Sequence, residues 1–271
     1  MTACSKHSIR IALLLFLTAL LWAPPARSAE DRYLAVGVNL SNPPWAFLID
    51  GRPTGFEIDL VNAVAGRLNL QVNYIAAPFS DLFDGLLDGR WRLAAGGIWI
   101  KPSRLNILAF ADPYFASQAA VAVRRDSPIR NLSDLKGKTI GAAAGSRHEG
   151  WLALKEPTLG PYSVARFDTP EEAIMKLEFR KLDAVAADSA ETLLAMRDLP
   201  FLENRLLFGP VHAQALAFRK GDPLRDAANT IQNALKKDGT LAAIYEKWFK
   251  RTPPDGSMVT TVLDGPYIPD N

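Results

Sequence analysis

The 271 residues carry a formal charge of +2, but the first 28 hold Lys6, Arg10 and Arg27 and no acid, so the remainder sums to −1 and gives no electrostatic case for a nucleic-acid partner. The single cysteine, Cys4, lies in the same segment, leaving the rest of the chain without a thiol for a disulfide, a thiolate nucleophile or a cysteine metal site. About 240 residues remain, enough for one large domain or two small ones with real cores.

Lys6 and Arg10 precede an apolar run, Ile11 to Ala23, followed by Pro24-Pro25 and the small-residue site Ala26-Arg27-Ser28-Ala29. This is the plan of a secretory signal peptide, with cleavage expected after Ser28 and a periplasmic location for the product. The run is shorter than the roughly 20 residues of a spanning helix, and Cys4 precedes it and so is not placed to become a lipidated N-terminus.

Beyond the leader, Tyr33 to Val38 alternates as a strand does, and Asn39 to Trp45, with Pro43-Pro44, reads as a loop. Phe47 to Ile49 with Asp50-Gly51 predicts a short hairpin arm and turn. Gly55-Phe56 opens a helix with Leu60, Val64 and Leu68 on one face, widened by Val61 and Ala65. Val72 to Ile75 is a second strand, and Phe79 to Asp88 a helix with Leu82, Leu86 and Leu87 inward. Short connections of this β-α-β-α-β kind predict parallel strands with helix crossovers.

The next stretch, Gly96 to Tyr114, starts as a strand through Ile98, Trp99 and Ile100 and breaks at Lys101-Pro102-Ser103. Proline lacks a ladder donor and disfavours helix at the residue before it, so Arg104 is expected on a loop at the strand's C-terminal end. Open α/β sheets bind ligands there, and a guanidinium offers a planar fork of donors suited to a carboxylate. By itself, Arg104 reads more simply as a surface arginine beside a turn.

Strands follow at Ala119 to Val123, Thr139 to Ala143, Val164 to Phe167, Leu182 to Ala187 and Gln214 to Phe218. Helices are expected from Gly145-Ser146, from Thr169-Pro170 with threonine as cap and proline at the first position, and over Glu191 to Met196, Pro223 to Leu235 and Thr240 to Phe249. Past Arg251 the proline, glycine and aspartate content predicts a trailing tail. The segments Leu86 to Ala95 and Met175 to Val185 share a plan of helix end, basic link and strand, which suggests two lobes of like architecture.

Several motifs in this order, Asn42-Pro43-Pro44-Trp45, Gly55-Phe56-Glu57-Ile58-Asp59-Leu60, Gly97 to Arg104, Phe110 to Tyr114, Leu135 to Gly141, Leu182 to Val185, Asp238-Gly239-Thr240 and Lys247-Trp248-Phe249, resemble the polar amino-acid type of periplasmic solute-binding protein, family 3. The resemblance implies a two-lobed α/β fold of the type II periplasmic-binding-protein kind, each lobe a sheet flanked by helices and the two joined by crossing strands. Lobe one would be 33–117 plus 214–249, lobe two 118–213, and 250–271 a C-terminal tail. It also implies a monomer that closes on a small-molecule ligand for an ABC-type membrane permease.

Carried over by position, Arg104 matches the arginine that pairs the ligand carboxylate, and Asp188 the acid that takes an α-ammonium. Gly145-Ser146-Arg147 matches the helix-start loop whose N–H groups help hold the carboxylate. Phe79 and Trp45 fall where aromatics wall the ligand. Asp188 also reads as a helix cap and Phe79 as core. Four positions depart from the family: Asn42 stands for an aromatic, Trp99 for a small hydroxyl, Lys101 for threonine and Arg147 for a second hydroxyl. Hydroxyls are lost and cations gained, which predicts an acidic solute or one outside the standard polar amino acids.

Other classes are weaker. The resemblance extends to dehydratase-like periplasmic enzymes, for which His148 and Glu149 are the candidate acid and base, although both read more simply as solvent-facing residues of a helix's first turn. A sensing module acting through a separate partner is a further alternative. No Gly-x-Ser-x-Gly elbow or His-Glu-x-x-His helix is present, and His212 stands alone, so neither catalysis, a metal nor a cofactor is expected.

Overall fold

The computed structural model describes residues 32–269. The expected leader, 1–28, lies outside them, as do the last two residues of the expected tail. Two five-stranded sheets dominate, with a small three-stranded sheet beside them. The first sheet has the order β5-β1-β6-β13-β7, built from Gln71–Ala76 (β5), Tyr33–Val38 (β1), Leu93–Ala95 (β6), Ala217–Arg219 (β13) and Leu108–Phe110 (β7). The second has the order β10-β9-β11-β8-β12, from Ser163–Phe167 (β10), Thr139–Ala143 (β9), Ala184–Asp188 (β11), Phe115–Arg124 (β8) and Leu202–Gln214 (β12). Ser41–Asn42 (β2), Ala46–Ile49 (β3) and Arg52–Thr54 (β4) form the third.

The side-chain alternation of each strand feeds two cores. Leu34, Val36 and Val38 of β1 pack with helix Phe56–Arg67 and the C-terminal helices Leu224–Lys237 and Thr240–Phe249. Ala94 of β6 faces the other way, onto Leu82, Leu86 and Trp91 around helix Asp81–Leu87. In the second sheet Val121, Val123, Ile140 and Ala142 meet Leu152 of helix Arg147–Leu159, and Ala122 and Val185 meet Ile174 and Leu177 of helix Pro170–Glu178. Both sheets are therefore covered on both faces, and each contains parallel strands: β1 with β6 in the first, and β9 with β10 and β11 in the second.

Two segments pass between the sheets. The chain leaves β7 through Asp112-Pro113-Tyr114 into β8, and returns from β12 to β13. β8 and β12 pair antiparallel over most of their length, with a register shift between Phe208 and His212. The long β12 was not expected: Asn204, Arg205, Gly209 and Pro210 break the alternation, and the strand is held by its partner β8.

Other expectations are revised. β6 ends at Ala95, because Gly96 and Gly97 take φ of 145° and 71°; Ile98 and Ile100 instead bond across to Ala215 and Ala213. Leu87, expected inward, is exposed at the end of its helix. The segment past Arg251 folds back: Val259 is buried in the first core, and Lys236 donates to the Thr261 carbonyl and to the Pro113 carbonyl, both at 2.8 Å. Composition misses this because one apolar anchor and one buried lysine hold it.

Candidate functional site: a cationic cleft at the strand ends

The C-terminal ends of the parallel strands in both sheets open onto one cleft of about 590 Å³. β1 and β6 run out into the loops bearing Asn42 and Gly96, β9 into Ser146, β10 into Pro170, and β11 ends at Asp188. This is where open α/β sheets leave room, since side chains there are not consumed by the crossover helices. All nine residues proposed from the sequence, Asn42, Trp45, Phe79, Trp99, Lys101, Arg104, Ser146, Arg147 and Asp188, line it.

Arg104 does not sit on a loop. It lies in a single helical turn, Pro102–Leu105, which Pro102 starts at the position where its missing N–H costs nothing. Its guanidinium donates to the Trp99 carbonyl at 2.8 Å and lies over the rings of Phe79 (5.4 Å) and Phe83 (4.8 Å). Burial lowers its pKa, yet a guanidinium remains charged. Among the described residues neither Arg104 nor Lys101 forms an ion pair.

Trp99 stacks on His212 of β12, with centroids 4.0 Å apart and planes 2° from parallel. Its face also receives Lys101 Nζ at 5.1 Å and the Arg147 guanidinium at 5.3 Å. Three of the four departures from the family pattern, Trp99, Lys101 and Arg147, thus face the cleft together. Asn42 Nδ2 donates to the Gly96 carbonyl at 2.8 Å, fixing the loop that Glu57 holds from behind: the Gly97 N–H donates to Glu57 Oε2, also at 2.8 Å. A Cβ on Gly97 would lie 2.8 Å from Asn42 Nδ2 and 2.9 Å from Trp45 Cδ1, so this close approach, with φ of 71°, requires glycine.

On the opposite wall, Ser146 caps helix Arg147–Leu159, its Oγ accepting from the Glu149 N–H at 3.2 Å. Asp188 is only 8% exposed. Its Oδ1 accepts from the Ala190 N–H at 3.0 Å and caps the next helix, Ser189–Ala195, with Glu191 completing the capping box. Its Oδ2 accepts from Arg147 Nη2 at 2.7 Å. Burial raises the Asp188 pKa, against the pull of the Ala190 amide and Arg147. The helix-cap role of Asp188 and its place in the cleft therefore coexist.

His148 corrects an expectation: it is 6% exposed and lines the cleft, because the first turn of its helix leans on the ends of β9 and β11. Burial, aided by Arg147, pushes its pKa down to about 4, so it is neutral at pH 7. Glu149 is engaged elsewhere, pairing with Arg166 and accepting from the Gly145 N–H at 2.6 Å. Among the lining residues not anticipated are Glu191 and two buried polar side chains. Ser117 of β8 and Gln214 of β12 are buried; Ser117 lies beside Asp188, and among the described residues neither Ser117 Oγ nor Gln214 Oε1 has a partner at hydrogen-bond geometry. Unpaired polar atoms at a cleft floor are costly unless a solute meets them. Their signal in the sequence was faint, a polar residue in each of two apolar strands.

Among the described residues no cluster of His, Cys, Asp and Glu is arranged to hold a metal ion, and no helix is long and apolar enough to cross a membrane.

The probable amino-acid-binding protein YxeM of Bacillus subtilis is 28% identical over 244 residues, covering 88% of this chain and 92% of that protein. The L-cystine-binding protein TcyJ of Escherichia coli is 29% identical over 229 residues, 81% and 84% of the two chains. Among solved structures, a polar amino acid ABC uptake transporter substrate binding protein from Streptococcus thermophilus superposes with a TM-score of 0.74 over 82% of this chain and 88% of that one, at 22% identity. The L-cystine solute receptor of Neisseria gonorrhoeae, in an unliganded open conformation, gives 0.71 over 81% and 93%, also at 22%. The fold is the two-lobed, type II periplasmic-binding-protein architecture. With residues 34–251 matching the family of that description, the chain belongs to the bacterial extracellular solute-binding proteins, family 3.

Proposed function

We propose that this protein captures a small carboxylate-bearing solute, an amino acid or a relative of one, and delivers it to the membrane permease of an ABC transporter, without catalysis. The observation that carries the reading is Arg104: a half-buried guanidinium, flanked by Phe79 and Phe83, with no acidic partner among the described residues. A desolvated cation in that state is costly until an anion meets it. The names of relatives, which bind amino acids including cystine, agree.

In this reading 33–117 with 214–249 forms one lobe, 118–213 the other, and the protein works as a periplasmic monomer once its leader is removed. Ligand contacts to both lobes favour the closed form, since only differential contacts shift such an equilibrium. Ser117 and Gln214, on the strands that pass between the sheets, offer hydrogen bonds from the floor.

Thermal melting against a panel of amino acids and small organic acids tests this. A ligand at about a hundred times its Kd adds roughly 2.7 kcal/mol, a shift of a few degrees for a chain of this size. Arg104→Ala should abolish the shift. A shift that survives the substitution would remove Arg104 from the role.

A further inference from the structure

The charge of Asp188 is already paired within the chain. Oδ1 is bound by the Ala190 N–H and Oδ2 by Arg147 Nη2. Arg147 is itself held on three sides: by Asp188, by His148, whose Nε2 accepts from Arg147 Nε at 3.3 Å, and by the Trp99 face. A guanidinium of the chain's own occupies the acid that an α-ammonium would need. The pair forms because β9 and β11 are parallel neighbours, which brings Arg147, four residues past the end of β9, beside the last residue of β11.

The charges that remain are of one sign on the facing wall. Arg104 and Lys101 have no ion pair among the described residues, and each rests on aromatic faces, which leaves its donors available. Burial, and then Arg147, pushes the pKa of both His148 and His212 down, which disfavours a further positive charge on either ring. The other lining acid, Glu191, is exposed and accepts from the Asp188 N–H at 3.3 Å. Three lining cations, Arg104, Lys101 and Arg147, outnumber the two lining acids, Asp188 and Glu191, and the two cations without an ion pair stand opposite the Arg147–Asp188 pair, an arrangement complementary to a solute with two negative groups. A zwitterion would place its ammonium against Arg147.

We infer that the cleft selects a small dicarboxylate without an α-ammonium, the Arg147–Asp188 pair excluding amino acids. This rests on the reading of Arg104 as the carboxylate clamp.

Isothermal titration of the purified protein with succinate, glutarate, L-aspartate, L-glutamate and L-glutamine compares equal carbon skeletons with and without the ammonium. Succinate or glutarate should bind at least tenfold more tightly than its amino-acid counterpart. Arg147→Thr, checked for folding by circular dichroism, should free Asp188 and reverse the order, with a gain of tenfold or more for the amino acid; Arg147→Gln serves if the threonine variant does not fold. L-glutamate binding to the wild type as tightly as glutarate overturns the inference, and so does an unchanged ranking in the Arg147 variants. If amino acids bind and Arg104→Ala abolishes that binding, the inference falls and the solute-binding reading stands. If no carboxylate binds, both fall.

Discussion

Glu57→Gln should remove about 3 kcal/mol of pH dependence from the stability of this protein between about pH 4.5 and pH 7. Glu57 is wholly buried, its Oε1 accepting from the Tyr114 hydroxyl at 2.5 Å and its Oε2 from the Gly97 N–H at 2.8 Å. Burial outweighs those bonds and raises its pKa from 4.5 to about 7. The folded chain therefore favours the protonated acid. Its contribution is fully present below about 4.5, is lost as pH rises to about 7, and is constant beyond, where both states are ionised. Glutamine keeps an acceptor for Gly97 and offers its amide to the Tyr114 oxygen, so it mimics the protonated form at every pH. Urea melts at pH 4, 5.5 and 7.5 would measure it. The variant should gain on the wild type as pH rises; parallel curves would refute the assignment.

The neighbourhood of Glu57 marks the limit of what the sequence discloses. Gly55-Phe56-Glu57 stood out as a motif, and the helix behind it was legible from its apolar spacing, but the task of Glu57, holding the cleft loop at Gly97, depends on a contact 40 residues away. The same holds for Arg147 and Asp188. Each was recognisable as a cleft residue through the family resemblance, with which the place of Asp188 at a strand end agreed, whereas their pairing, 41 residues apart, exists only because β9 and β11 lie side by side. Arg104 was placed correctly at the mouth of the sheet and wrongly on a loop, because the proline that stops a strand is also a good first residue for a helix turn. His148 was misread since helix spacing fixes which residues share a face, but only the sheet decides where that face points. Strand β12 was hidden because its pairing with β8 overrides a sequence that alternates poorly.

Trp45 presents the sharpest conflict between a wall and a core, and Trp45→Ala resolves it. The ring lines the cleft, yet it is 5% exposed and packs against Phe115 at 4.8 Å, Phe56 at 5.7 Å and Tyr114 at 6.1 Å. It also takes part in the backbone: its carbonyl accepts from the Glu57 N–H at 2.9 Å and would lie 2.2 Å from a Cβ on Gly55. A side chain that only walled the solute would lower affinity and leave stability alone. Truncating a buried tryptophan removes its transfer energy and leaves a cavity, at a cost of about 3 to 5 kcal/mol, with the aromatic pairs adding to it. Chemical denaturation at pH 7 should show a loss of that size, and Trp45→Phe should recover most of it. The folded fraction of the alanine variant should also bind its solute more weakly, because the Gly97 loop rests on the same ring. A stability loss below about 1 kcal/mol would mean that the surrounding aromatics close over the site, making Trp45 a wall residue first and a core residue second.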